Sequence, residues 1–250
     1  MEKEKALRAE GLSKTYAGAS HPALYDFDIS VDYGEIFGLL GPNGAGKTTA
    51  ISLLSSLLAP DSGNISVCGK DIRRHARQAR KVLGLVPQDI ALYPNLSARE
   101  NLMYFGRLYG LGGKSLRENV DESLEICGLK DRADDRISVY SGGMKRRANL
   151  AAGIVHHPKL LFLDEPTVGI DAQSRNMILE KLLMLRDMGT AMIYTSHYMD
   201  EVQQICSRVA IMDEGKIAAR GSTAALMEKH GQCKNLGELF LHLTGKALRD

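Results

Sequence analysis

Several features are scarce in this chain, and each scarcity closes off a class of protein. Charge of one sign is the first: 32 Lys and Arg against 30 Asp and Glu leave +2 over 250 residues. Such a balance exerts no global pull on nucleic acid, so no nucleic-acid partner is expected. Long apolar runs are also missing; none approaches the ~20 residues that span a bilayer. The opening Met1-Glu2-Lys3-Glu4-Lys5 is charged with no apolar segment behind it, which predicts no signal peptide. Cysteine pairs are absent. Cys68, Cys127, Cys206 and Cys233 are scattered with no C-x-x-C, the usage of reduced thiols in a cytosol. Metal spacing is absent too: His156 and His157 are adjacent and unpartnered, and read as packed or solvated side chains rather than zinc ligands. There is no internal repeat, low-complexity tract or flexible linker. At 44% hydrophobic the chain builds one large domain, or one domain with an inserted lobe.

Against this background one stretch is unmistakable. Gly41-Pro42-Asn43-Gly44-Ala45-Gly46-Lys47-Thr48 reads G-x-x-x-x-G-K-T, the phosphate-binding loop. The apolar run Ile36 to Leu40 precedes it and the helix-compatible Thr49-Ala50-Ile51-Ser52-Leu53-Leu54 comes after, which is the strand–loop–helix context the motif needs. The glycines let successive N–H groups turn toward one anion, and the helix N-terminus adds partial positive charge there. Lys47 reaches the β- and γ-phosphates; the Thr48 hydroxyl can ligate Mg²⁺. A nucleoside triphosphate is expected, with its use left open.

The flanking pattern predicts two kinds of sheet. Tyr25 to Tyr33 alternates, with Tyr25, Phe27, Ile29, Val31 and Tyr33 on one face and Asp26, Asp28, Ser30 and Asp32 on the other, as in a half-buried antiparallel strand. Ile65 to Cys68 is a further edge strand. The runs Ile36–Leu40, Val82–Val86 and Leu160–Leu163 are apolar throughout, as core strands covered on both faces must be. Arg73, Arg74, Arg77, Arg80 and Lys81 form a basic segment best read as a solvated helix face. After Tyr93-Pro94 the chain turns helical. Ser97-Ala98-Arg99-Glu100 and Ser115-Leu116-Arg117-Glu118 both have capping-box form. Residues from about 95 to 140 make a small helical lobe inserted in the core. The core resumes with a helix from about 143 to 156, stopped by Pro158, and another around Ser174–Arg186, closed by Gly189. Ala191–Thr195 is a strand; Val209–Met212 and Lys216–Ala219 form a hairpin. The tail from 223 to 250 carries the apolar stripe Leu236, Leu239, Phe240 and Leu243, expected to pack on this chain.

The strand Leu160–Leu163 ends in Asp164-Glu165. A phosphate-loop protein needs an acid at such a strand end for Mg²⁺ or its waters. Side chains alternate along a strand, so the two acids cannot face the metal alike. Asp164 serves the metal, and Glu165 is placed to take a proton from an attacking water. The pair therefore points to hydrolysis. Gln88, Glu165 and His197 each lie just past the carboxyl end of a strand, where ligands gather in parallel sheets, and should converge with Lys47 in one crevice.

Tyr140-Ser141-Gly142-Gly143-Met144-Lys145-Arg146-Arg147 completes the constellation. With the loop, Gln88, the Asp-Glu strand and His197 it resembles the nucleotide-binding subunit of an ATP-binding cassette (ABC) transporter, over roughly residues 10 to 222. No guanine-reading N-K-x-D occurs. The resemblance implies an α/β P-loop NTPase fold: a RecA-like parallel core sheet, an antiparallel β layer and an inserted helical subdomain. It implies that Tyr16 stacks on adenine, that Gly41, Pro42, Asn43, Gly44, Ala45, Gly46, Lys47, Thr48 and Thr49 cradle phosphate, and that Gln88 senses Mg²⁺ and the water. It implies that Asp164 holds metal, Glu165 is the base, Asp171 belongs to the D-loop, and His197 contacts the γ-phosphate. Ser141, Gly142 and Gly143 then bind ATP held by a second copy or a homologous subunit. A Ser-Gly-Gly turn opening a helix is itself a second anion site, so two copies can close head-to-tail over two ATPs. Tyr140 and Met144 depart from the usual Leu-Ser-Gly-Gly-Gln. The basic residues after the turn, Glu165-Pro166-Thr167-Val168-Gly169-Ile170-Asp171 and the tail Glu238–Gly245 are similar to the drug- and polysaccharide-exporter group. The expected activity is ATP hydrolysis with Mg²⁺, driving a separate transmembrane permease from the cytoplasmic face of the membrane. A soluble non-transport ABC ATPase and an importer subunit are the alternatives.

Overall fold

The computed structural model describes residues 4–245. Met1 to Lys3 of the charged opening and residues 246–250 of the predicted tail lie outside the described residues. Two sheets share the chain. The smaller has four strands in the order β2-β1-β4-β5: β1 (Leu7–Lys14), β2 (Leu24–Val31), β4 (Ser62–Val67) and the two-residue β5 (Lys70–Asp71), all paired antiparallel. The larger has six strands in the order β10-β9-β3-β8-β7-β6: β3 (Ile36–Leu40), β6 (Leu83–Val86), β7 (Leu160–Asp164), β8 (Ala191–Thr195), β9 (Arg208–Asp213) and β10 (Lys216–Ser222). Within it β9, β3, β8, β7 and β6 run parallel, and β10 returns antiparallel as the second arm of the hairpin. The architecture is the α/β fold with parallel core and antiparallel layer.

Apolar patterning explains why the sheets differ. Every residue of β3 and β8 is buried, and the first four of β7, because helices cover one face and the antiparallel sheet, together with the helix that begins at Lys47, covers the other. The alternation expected from Tyr25 breaks in one place. Leu24, not Tyr25, points inward, and Tyr25 is exposed beneath Lys216, whose Nζ lies 5.1 Å from its ring centre. Asp26 sits at φ 48 and the β1–β2 register slips between Leu12 and Lys14. This bulge adds one residue and flips the strand's phase. Beyond it Phe27, Ile29 and Val31 are buried as expected, while Tyr33 is again exposed. β6 is apolar like a core strand but stands at the sheet's edge.

Eight- to sixteen-residue helices join the strands: α1 (Lys47–Leu54), α2 (Ile72–Arg80), α3 (Ala98–Leu108), α4 (Gly113–Ile126), α5 (Gly142–Ile154) and α6 (Ala172–Asp187). The shorter α7 (Met199–Ile205) and α8 (Thr223–Lys229) and the terminal α9 (Leu236–Thr244) complete the set. The basic segment is the exposed side of α2, anchored through Ile72 and Ala79. The Ser97 capping box is present in full, with both reciprocal bonds. The Ser115 box is not. Helix α4 starts three residues earlier, from Gly112, and the Ser115 hydroxyl donates instead to the Gly112 carbonyl at 2.9 Å. Ser115 thus lies inside the first turn, past the N-cap position, and its hydroxyl bonds backward along the helix. Gly189 at φ 97 succeeds the last turn of α6, as predicted. Leu236, Leu239 and Phe240 bury the stripe of α9 in this chain's own core.

Candidate active site

Five parallel strands put their carboxyl ends along one rim of the sheet, and register sets what meets there. Asp164 pairs with Thr195, and Leu163 with Val86 and Tyr194. The loops after β3, β7 and β8 therefore start side by side: the phosphate loop, Asp164-Glu165 and Ser196-His197.

The loop after β3 is held open by its glycines. Gly46 lies at φ 98, and a Cβ there would stand 2.4 Å from the Ala23 carbonyl oxygen. Any side chain would both strain the backbone and strike Ala23. From outside, the turn between β9 and β10 braces the loop: the Gly215 N–H donates to the Ala45 carbonyl at 3.1 Å. Helix α1 begins at Lys47, so its first N–H groups lack intrahelical acceptors and face the loop's concavity. The Lys47 ammonium is buried and donates to the carbonyls of Gly41 at 2.7 Å and Pro42 at 3.2 Å. Burial lowers its pKa below the ordinary lysine value, and the charges of Glu165 and Asp164 act the other way. Tyr16 is exposed beside this loop, its hydroxyl 3.3 Å from Thr49 Oγ1.

At the end of β7 one hydroxyl orders both acids. Thr195 Oγ1 donates to Asp164 Oδ1 at 2.7 Å and accepts from the Glu165 N–H at 3.0 Å. Glu165 is forced to φ 47, a left-handed conformation that non-glycine residues adopt only where the surroundings impose it. The turn swings its carboxylate to His197, with Oε1 2.5 Å from Nε2. Both side chains are largely buried, and His197 Nδ1 has no hydrogen-bond partner among the described residues. Lys47, Asp164, Glu165 and His197 thus converge. Gln88 is exposed just after edge strand β6, its backbone carbonyl accepting from Arg146.

Ser141, Gly142 and Gly143 lie on the helical side. Ser141 caps α5, its hydroxyl accepting from the Met144 N–H at 3.2 Å, and remains exposed. Gly142 is open, with nothing nearer than 4.0 Å to a built Cβ, whereas a Cβ on Gly143 would meet Ser174 Oγ at 2.1 Å. Gly143 therefore serves the close approach of α5 to the start of α6. Asp171 caps α6, accepting from Ser174 N at 2.9 Å and Ser174 Oγ at 2.8 Å, and these bonds hold its carboxyl below the ordinary value. Tyr140 donates to the Arg132 carbonyl at 2.6 Å, and Met144 packs on the core. Their departures from the usual signature are absorbed by packing inside the chain.

The family model described as ABC transporter matches residues 24–168. The chain belongs to the ABC transporter family. This ABC ATPase is 46% identical over 244 residues to the linearmycin resistance ATP-binding protein LnrL of Bacillus subtilis, covering 98% of this chain and 76% of that one. It is 41% identical over 230 residues to the Nod factor export ATP-binding protein I of Paraburkholderia xenovorans, covering 92% and 75%. A solved ATP-binding subunit of an ABC transporter superposes with TM-score 0.85 at 26% identity, over 95% of this chain and 99% of that one. The cbiO1 protein of Clostridium perfringens, part of the ABC transporter complex cbiONQ, does so with TM-score 0.82 at 29% identity, over 92% and 93%. The chain is an ATP-binding, ATP-hydrolysing member.

Three residues of this region carry no motif signal. Thr195, which orders the acids, is a strand residue like any other in sequence. Arg146 was visible only as one of three basic residues after the glycines, yet its Nε donates to the Val168 carbonyl at 3.2 Å while its other arm holds Gln88. Glu201 is an acid inside a short helix.

Proposed function

We propose that this chain is the ATP-hydrolysing subunit of an exporter, and that two ATP-binding subunits close head-to-tail over nucleotide to drive a separate transmembrane permease. The observation that carries this is the separation of two anion-ready elements. The phosphate loop with Lys47, Asp164, Glu165 and His197 forms one, and the exposed, Ser141-capped start of α5 the other, on the helical side of the chain. A helix N-terminus with an open glycine is built to meet an anion, yet its own crevice is already furnished by α1. A second copy supplies the missing phosphate. Closure then depends on ATP, and hydrolysis reopens the pair. The relatives named for linearmycin resistance and Nod factor export favour export as the direction.

In the closed pair Gly41 to Thr49 cradle the phosphates and Tyr16 stacks on adenine. Thr48, Asp164 and Gln88 are the residues suited to Mg²⁺, which neutralises charge on the transferred phosphoryl group. Glu165 takes the proton of the attacking water, and His197, already against Glu165, holds the γ-phosphate side of the crevice. We place the domain boundary near residue 222, with the helical subdomain at about 95–140 inserted and α8–α9 as a short extension.

Among the described residues no helix is long and apolar enough to cross a membrane, and in this reading a separate permease supplies the span. The docking face we assign is a groove of about 480 Å³ beside edge strand β6, where Leu57 and Leu108 are 69% and 66% exposed, close to the segment that carries Gln88. Such a partner places the chain at the cytoplasmic face of the membrane. The test is co-purification from membranes: a permease with several hydrophobic spans should be retained by the wild-type chain and lost with Leu57→Glu/Leu108→Glu. Equal recovery with both chains would sink the docking assignment.

A further inference from the structure

Behind His197 lies a buried carboxylate outside the set Lys47, Asp164, Glu165 and His197. Glu201, on α7, is 3% exposed. Its oxygens accept from Thr167 Oγ1 at 2.9 Å, Tyr194 Oη at 2.5 Å and Ser196 Oγ at 2.8 Å. Arg175 Nε stands 3.3 Å from Oε1, a charge contact without hydrogen-bond alignment, and the same guanidinium lies 4.2 Å over the Tyr198 ring. Burial, with the Glu201 charge second, pushes the Tyr194 phenol well above its ordinary value, so it stays a donor.

These partners are not a random sample of the core. Ser196 precedes His197 and its hydroxyl also accepts from the Tyr198 N–H at 3.0 Å, which fixes the turn that carries the histidine. Thr167 lies two residues past Glu165. Arg175 lies one turn past Asp171, on the helix that Asp171 caps. One carboxylate thus joins the His197 turn to the segment running from Glu165 to Asp171 and on to Arg175. An all-apolar core would fill this space at lower desolvation cost.

We propose that Glu201 is a positioning residue that makes the His197 turn and the Glu165–Asp171 segment move as one body. It rests on the reading of an ATP-gated pair, because coordinated movement of these segments matters only if closure assembles the site. Glu201 touches no atom of the nucleotide crevice, so its loss should spare ATP binding at the phosphate loop and impair closure and hydrolysis.

The test uses the full chain with Glu201→Gln, which keeps the shape but removes the charge, and Arg175→Met, a change at the network's more exposed edge that guards against failure of the first to fold. Expected are an ATP dissociation constant within about threefold of wild type and a kcat lower by about tenfold to a hundredfold, the scale of a slight misplacement of reacting groups. The double variant should lose no more kcat than the worse single, since both cut one network. In a Glu165→Gln background, Glu201→Gln should raise the ATP concentration needed for half-maximal dimerisation. A kcat within twofold of wild type for both variants, or ATP affinity falling in step with thermal stability, would overturn the proposal. If the Glu165→Gln chain itself does not dimerise with ATP, the paired-subunit reading fails, while the kcat arm still decides Glu201.

Discussion

At Glu165 position and chemistry are hard to separate, because the left-handed backbone that aims the carboxylate at His197 is set by Thr195 and not by the glutamate itself. Glu165→Gln should keep that geometry and ATP binding while steady-state phosphate release falls by about 10²–10⁴-fold, the usual contribution of a positioned base. Near-normal turnover would remove Glu165 from the base role. His156 gives a residue-scale prediction of another kind. Its Nε2 lies 2.8 Å from the Leu83 carbonyl, its ring stacks on Tyr109 at 3.5 Å, and burial lowers its pKa from 6.5 to about 4. The folded state thus binds this proton less readily than the unfolded state. The contribution is full above pH 6.5 and is lost as pH falls toward 4. From pH 7 to pH 5 this residue should account for about 2 kcal/mol of lost stability, and His156→Gln should flatten that slope in urea titrations. The sequence left His156 either packed or solvated; the depressed pKa was not legible there, since it comes from burial that only the fold creates and that outweighs the opposing hydrogen bond to Leu83.

Elements were legible where one physical signal dominated. The four- and five-residue apolar runs became strands, and the tail's stripe became a buried helix face, because burial on one side or both leaves a mark in the apolar pattern. The antiparallel layer lost its phase at Asp26, since a bulge costs one residue and leaves no trace in hydrophobicity. Ser115 failed as a cap because Gly112, three residues before the motif, offered an earlier start. The signature glycines looked equivalent and are not. Gly143→Ala drives a Cβ into Ser174 on α6 and should destabilise the chain by about 1–3 kcal/mol, the cost of overpacking. Ser174→Gly should recover part of that loss by removing the obstructing side chain. Gly142→Ala meets nothing within the chain and should leave the urea midpoint unchanged, while weakening ATP-driven dimerisation if a phosphate approaches that backbone from a partner. Comparable stability loss at both glycines would mean that α5 and α6 do not pack as closely as the structure has them.

For the whole molecule, the order of motifs along the chain was readable, and so was the crevice they build, because parallel strands must deliver their succeeding loops to one rim. Which copy completes the crevice is a property of two chains, and it has its own test. Lys47→Ala damages a phosphate loop and leaves the signature turn intact. Ser141→Arg does the reverse, setting a bulky cation where the second copy's ATP should dock. Each variant alone carries a fault in both crevices of a head-to-tail pair and should fail to dimerise with ATP. Mixed together they can form a pair in which one crevice joins an intact phosphate loop from one copy to an intact turn from the other, while the second crevice collects both faults. ATP-dependent association should therefore reappear in the mixture and be absent from either component, as read by size-exclusion chromatography or light scattering. If each chain instead completed its own crevice, every molecule in the mixture would carry one fault in its only site, and no recovery could occur. Recovery in the mixture, combined with Glu165→Gln to prevent reopening, identifies the turn at Ser141 as the face one copy presents to the ATP of the other.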